Sequence, residues 1–242
     1  MRPFRVRNVI NVNISIPASV DSVNISLLRS EAMTGSRAGR ARKKPTGHYH
    51  HGDLRRALVE EAVRTIDRHG VEALTLRSIG DRLGVSRTAL YRHFADKPAL
   101  LAAVGREGFR LLRLALTEAW ERHGRGRTGF EAMGVAYVQF AVAHPAHYRV
   151  MFGGFIESCA KDEAFVEEAK AAFQVLVDSL VEQQQAGIVR RDDPLLLARM
   201  IWSLVHGISM LAIDGQLRGA DEQGDALNRY AIERMRDAIR AR

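Results

Sequence analysis

Apolar residues recur at spacings of three and four from about residue 53 to the end of the chain, the period of amphipathic helices packed on a core. Leu54, Leu58, Ala62 and Ile66 mark one face of a first helix that closes at Gly70, with Asp53 as its expected N-cap. The pattern predicts further helices over 75–84, 86–94 and 96–122, the last capped by Asp96 with Pro98 in its first turn, where a missing N–H does no harm. Beyond the loop HGRGRTG at 123–129, helices are predicted over 128–144, 145–153, 162–186, 193–213 and 221–240. No run of alternating β-branched residues is long enough for a sheet. The expected fold is therefore all-α with about nine helices: a three-helix N-terminal head and a larger helical domain.

Two segments depart from simple amphipathicity. Residues 195–213 are apolar nearly all round, which predicts burial on two sides; Arg199, Ser203, His206 and Ser209 argue against a membrane span. A two-fold partner would supply the second surface, the last two helices of each subunit forming a four-helix bundle, with Gly207 permitting close approach; the alternative is the central helix of a monomer. Residues 1–46 have no helical period and include the basic run GSRAGRARKKP, so they read as a disordered extension, with Met33 a candidate for the biological start. The expected division is a 1–46 extension, a 47–96 three-helix head and a 97–242 larger helical domain.

Charge sharpens this division. The net charge of the 242 residues is +8, but residues 1–97 hold 18 Lys/Arg against 9 Asp/Glu, whereas residues 98–242 hold 18 against 19. A polyanion partner would meet the N-terminal end. The single cysteine, Cys159, makes no internal disulfide, and its adjacent cation, Lys161, is thin support for a reactive thiol. His48, His50 and His51 lack a fourth ligand and a rigid scaffold, so no metal and no cofactor is expected. No apolar signal core follows the N-terminal arginines, which points to the cytoplasm.

The informative stretch is TLRSIGDRLGVSRTALYRHF at residues 75–94. Two short helices flank the turn Leu83-Gly84-Val85-Ser86, in which Gly84 takes a positive φ and Ser86 caps the second helix. Leu76, Ile79, Leu83, Val85, Leu90 and Phe94 close one small core, the arrangement of a helix-turn-helix. With Leu90 and Phe94 inward, Thr88 and Arg92 point outward, free to reach a major groove. Arg87 is placed to fork onto guanine, and Thr88 and Ala89 to meet base edges or a thymine methyl. Thr75, Ser86, Tyr91, His93 and Lys97 are better suited to phosphate oxygens. The competing interpretation is an ordinary helical hairpin with a solvated basic face.

The run GVSRTALYRHFADKPALL, preceded by YHHGDLRRAL, resembles the signature of the tetracycline-repressor (TetR) family. HPAHYRVMF at 144–152, with Trp202 and the pair His206-Gly207, is similar to the subgroup whose C-terminal domain is named for Trp-His-Gly. The resemblance implies a homodimer whose heads read a palindromic double-stranded DNA operator and whose C-terminal domains dimerise and hold a small-molecule effector, without a membrane. The 46-residue extension and Ala89 depart from the family pattern.

An effector pocket would be concave and mostly apolar with a few polar handles. Candidates are Trp120, Met133, Tyr137, Phe140, Tyr148, Met151, Phe152, Phe173, Trp202 and His206. Gly105 and Gly108 mark either a pivot in the connecting helix or a close helix contact. The expected function is a ligand-responsive transcriptional repressor; the alternatives are a sequence-indifferent chromosome-associated protein and an enzyme. No nucleophile elbow, P-loop, GxGxxG or HExxH supports the enzyme.

Overall fold

The computed structural model describes residues 51–217 and 225–241. These contain ten helices: α1 (His51–His69), α2 (Leu76–Leu83), α3 (Arg87–Tyr91), α4 (Lys97–Arg122), α5 (Gly126–Ala143), α6 (Pro145–Phe152), α7 (Ile156–Cys159), α8 (Glu163–Gln185), α9 (Pro194–Ile213) and α10 (Asp225–Ile239). Among the described residues the sole β feature is an isolated antiparallel bridge between Val189 and Arg240. The basic extension, Met33 and the histidines at 48 and 50 lie outside the described residues, as does the Asp221 start expected for the last helix.

The cap expected at Asp96 is in place, and Asp162 and Asp193, expected only as helix starts, act as caps too. Asp96, Asp162 and Asp193 accept from the backbone N–H groups of Ala99, Phe165 and Leu195, each at 2.8 Å. Asp53 does not cap α1, because the helix already begins at His51. The tenth element is the single turn α7, too short to leave a periodic signature. The fifth helix starts at Gly126, two residues earlier than expected, and Arg125 before it has a φ of +58°. Arg125 is held there by Glu121 at 2.7 Å and Glu182 at 3.3 Å.

The central element is α4, whose 26 residues extend about 39 Å at 1.5 Å per residue. It packs against α1 at its start and against α5, α6, α7 and α8 along its length, while α9 lies on α5 and α8 and α10 on α5 and α9. Gly105 and Gly108 are the seams of this packing. A Cβ on Gly105 would sit 2.5 Å from the Phe165 ring, and one on Gly108 2.5 Å from Met151 Sδ. Close approach of α8 and α6 accounts for a glycine at both positions. One apolar core runs from Leu54 in α1 through α4 to Ile239 in α10.

Among the described residues one helix, α9, is long and apolar enough by length and composition to cross a membrane. Its packed side carries Leu197, Ala198, Ile201, Val205, Ile208 and Ser209, all buried. Its other side leaves Leu196 61%, Met200 41% and Leu211 44% exposed. Gly207 shares that outer side, and a Cβ there would meet nothing within 4 Å. The second burial expected from sequence is thus an apolar stripe facing outward.

Candidate functional site

The helix-turn-helix is built by caps and by one close contact. Thr75 Oγ1 accepts from Ser78 N at 3.1 Å to start α2, and Ser86 Oγ accepts from Ala89 N at 3.2 Å to start α3. Between them Gly84 has φ +67° and ψ +27°, the left-handed conformation that an L side chain resists. Leu76, Ile79, Leu90 and Phe94 are buried, with Leu83 and Val85 packed against them, as expected. Gly80 was not singled out from sequence, yet a Cβ there would lie 2.9 Å from Leu90 Cδ1. It sets how closely α3 crosses α2; a glycine inside an otherwise regular helix was the available signal.

Arg87, Thr88 and Arg92 are exposed, as are the capping residues Thr75 and Ser86, and Tyr91 is 54% exposed. Both capping hydroxyls use oxygen lone pairs for their caps, so their protons remain available to an acceptor. Ala89 is half-buried against the core, and His93 is half-buried too. Lys97 is already engaged: its Nζ donates to the Val71 carbonyl at 2.8 Å and lies 5.9 Å from the centre of the Phe155 ring. Two of its three N–H donors remain for another acceptor. Arg55 covers the Phe94 ring at 5.0 Å, and Glu61 binds Arg64 at 2.8 Å and Arg82 at 3.3 Å, tying α1 to α2.

The second constellation lies between α5, α6, α8 and α9. Trp202 Nε1 donates to Tyr137 Oη at 2.9 Å, Tyr137 Oη meets Tyr148 Oη at 3.1 Å, and Tyr148 Oη meets His206 Nδ1 at 2.7 Å. Phe152 borders this chain, with its ring centre 4.8 Å from His206, 4.7 Å from Tyr148 and 6.0 Å from Trp202. Phe173 closes on Trp202 at 6.1 Å. Burial pushes the Tyr148 phenol up to about 12, raises Tyr137 well above its ordinary value, and pulls the His206 imidazole below its own. All three are therefore neutral near pH 7.

Six of the ten pocket candidates converge there. Met151 packs instead under Gly108, Trp120 against Gly129, and Phe140 beside the His144 ring at 5.1 Å, while Met133 is buried in the core. Phe109 was missed; its ring lies 5.4 Å from both Phe152 and Phe165. Cys159 is fully buried, and burial with the neighbouring Asp162 charge pushes its thiol up to about 11, which removes it as a reactive group.

Residues 58–104 match the family profile of bacterial regulatory proteins of the tetR family, and residues 130–235 match a tetracyclin repressor-like C-terminal domain. The chain belongs to the TetR family. A solved protein of unknown function from Rhodococcus sp. RHA1 is 33% identical, with a TM-score of 0.70 over 80% of this chain and 98% of that one. An uncharacterized HTH-type transcriptional regulator from Mycobacterium tuberculosis is 29% identical over 168 residues, 66% of this chain and 67% of the relative. The tetracycline repressor protein class C of Escherichia coli is 44% identical over 50 residues, which are 21% of this chain and 23% of that one. This TetR-family chain is thus a transcriptional regulator with a helix-turn-helix, and its all-α architecture is that of the family.

Proposed function

We propose that two copies of this regulator bind an inverted-repeat operator as a repressor in the cytoplasm, and that a small molecule seated in the aromatic cluster releases them. Residues 47–96 act as the reading head and 97–242 as the sensing and dimerising part. Arg87 and Thr88 read base edges, Ala89 offers a small apolar edge to a thymine methyl, and Arg92 flanks them in the groove. Thr75, Ser86, Tyr91, His93 and Lys97 hold phosphates and fix register. The observation that carries this reading is the capped α2–turn–α3 unit with Arg87, Thr88, Tyr91 and Arg92 turned to solvent.

The apolar stripe of α9 supports a two-fold interface, since Leu227 and Tyr230 on α10 are also exposed, at 37% and 62%. Heads so joined would meet major grooves about 34–36 Å apart. Tyr137, Tyr148, Phe152, Phe173, Trp202 and His206 are the effector contacts, and Trp120, Met133, Phe140 and Met151 shape the wall behind them. Selection of bound fragments from a random DNA pool tests the reading. An inverted repeat with one helical turn between half-sites is expected; recovery of unrelated sequences at equal affinity refutes it.

A further inference from the structure

Lys97 is the first residue of α4, and its ammonium group is held from two directions. Nζ donates to the Val71 carbonyl at 2.8 Å and lies over the Phe155 ring, 5.9 Å from its centre. Val71 belongs to the loop between α1 and α2, and Phe155 to the segment between α6 and α7. Among the described residues no carboxylate pairs with this ammonium group, so its charge is left for a partner outside the chain. A free lysine gives up most of its rotamer freedom when it holds a phosphate. Here a carbonyl and a ring face have already taken much of that freedom, which lowers what binding must give up. The attraction of a cation to a ring face reaches to about 6 Å and grows as water is excluded, and both Lys97 and Phe155 are half-buried.

The ring is placed by local structure. Gly153 N donates to the Arg149 carbonyl at 2.9 Å and ends α6, and a Cβ on Gly153 would run into that same oxygen. Glycine thus lets the chain leave α6 at this point and turn back toward the start of α4. Phe155 is then fixed by α7, its carbonyl accepting from Ser158 N at 3.0 Å and from Cys159 N at 3.1 Å, and its ring packs on the apolar core. We propose that Phe155 is a positioning residue for DNA binding: with no contact to the duplex of its own, it holds Lys97 Nζ where a backbone phosphate is met. A residue from beyond the helix-turn-helix thereby sets the affinity of the reading surface. This rests on Lys97 being a phosphate contact.

Fluorescence-anisotropy titrations of full-length variants test it, on the inverted repeat recovered by selection and on an unrelated duplex of equal length. Phe155→Leu keeps apolar bulk without a ring face and should weaken both duplexes by about two- to fivefold for each Lys97 engaged. Phe155→Met should lose the same amount, and it carries the test if the leucine variant does not fold. The salt dependence of both should keep the wild-type slope, because no charge is removed. Phe155→Tyr, which keeps the ring face, should bind as the wild type does. In a Lys97→Ala background Phe155→Leu should add nothing further, as for two residues acting through one contact. A loss that persists in that background, or wild-type binding by Phe155→Leu and Phe155→Met while Lys97→Ala binds more weakly, overturns the positioning role alone. Wild-type binding of both duplexes by Lys97→Ala overturns the phosphate contact, and the inference with it.

Discussion

Replacing Gly105 by alanine sets two effects against each other. Alanine is favoured over glycine in a helix interior by roughly 1 kcal/mol, so helix propensity alone predicts a more stable protein. The new methyl, however, would lie 2.5 Å from Phe165 Cε2 and 3.0 Å from Cδ2. Carbon atoms pack at about 3.5–4.0 Å, so ring and helix must part by about 1 Å. The ring has little room to yield, being only 2% exposed and braced edge-on against Phe109 at 5.4 Å. Overpacking of this kind costs typically about 1–3 kcal/mol, which exceeds the propensity gain and leaves a net loss of about 1 kcal/mol. For a protein of this size that lowers Tm by about 2–4 °C. Thermal unfolding followed by circular dichroism at fixed protein concentration measures it. A Gly105→Ala protein that melts higher than the wild type would show that α4 and α8 do not approach as closely as described.

The other expectations follow from the reading surface, the buried histidine and the exposed stripe. Arg87→Ala should cost about 1–3 kcal/mol at one operator base pair, whereas Lys97→Ala should weaken all sequences alike and flatten the salt dependence by about one unit. Because Lys97 also donates to Val71, its alanine variant alone should lower Tm; identical behaviour of the two variants across operator variants and in melting refutes the division. His147 is 7% exposed, and burial, with His144 beside it, pulls its pKa from 6.5 to about 4. The unfolded chain takes up that proton first, so the contribution is complete above pH 6.5 and is lost as pH falls toward 4, on the order of 3 kcal/mol in all. Urea unfolding at several pH values should show a shallower acid slope in His147→Leu than in the wild type; equal slopes refute the assignment. Leu196→Glu with Met200→Glu should convert a dimer into a monomer in sedimentation equilibrium, and an unchanged mass would move the interface elsewhere.

The reading head was almost fully legible because its determinants are local. Asp96, Ser86 and Gly84 each act within a few residues of themselves, through a cap or a positive φ. Gly80 escaped notice because its reason lies across the turn, in Leu90. The relay of Trp202, Tyr137, Tyr148 and His206 was legible only as a set of candidate residues, since its members are separated by up to 69 positions and meet only through the packing of α5, α6 and α9. For the same reason Trp120 and Met151 could not be told from true members: a large side chain facing inward on a helix has one periodicity whether it lines a cavity or fills one. The turn α7 and the positive φ of Arg125 were invisible because one, at four residues, is a single turn too short to repeat a pattern and the other is held partly by Glu182, 57 residues away.

The uninterrupted apolar core bears on how such a molecule can be dismantled. Leu100, Leu101 and Val104, next to the helix-turn-helix, belong to the same interior as Leu58 and Ile66, so among the described residues no dry seam sets 51–96 apart from the helices that follow. A fragment ending at residue 96 would carry the exposed Arg87 and Arg92 on a half-open shell. Heat or denaturant should accordingly melt the helix-turn-helix and the helices behind it as one body, and a molecule that loosens one part will be felt in the other without any dedicated wire between them.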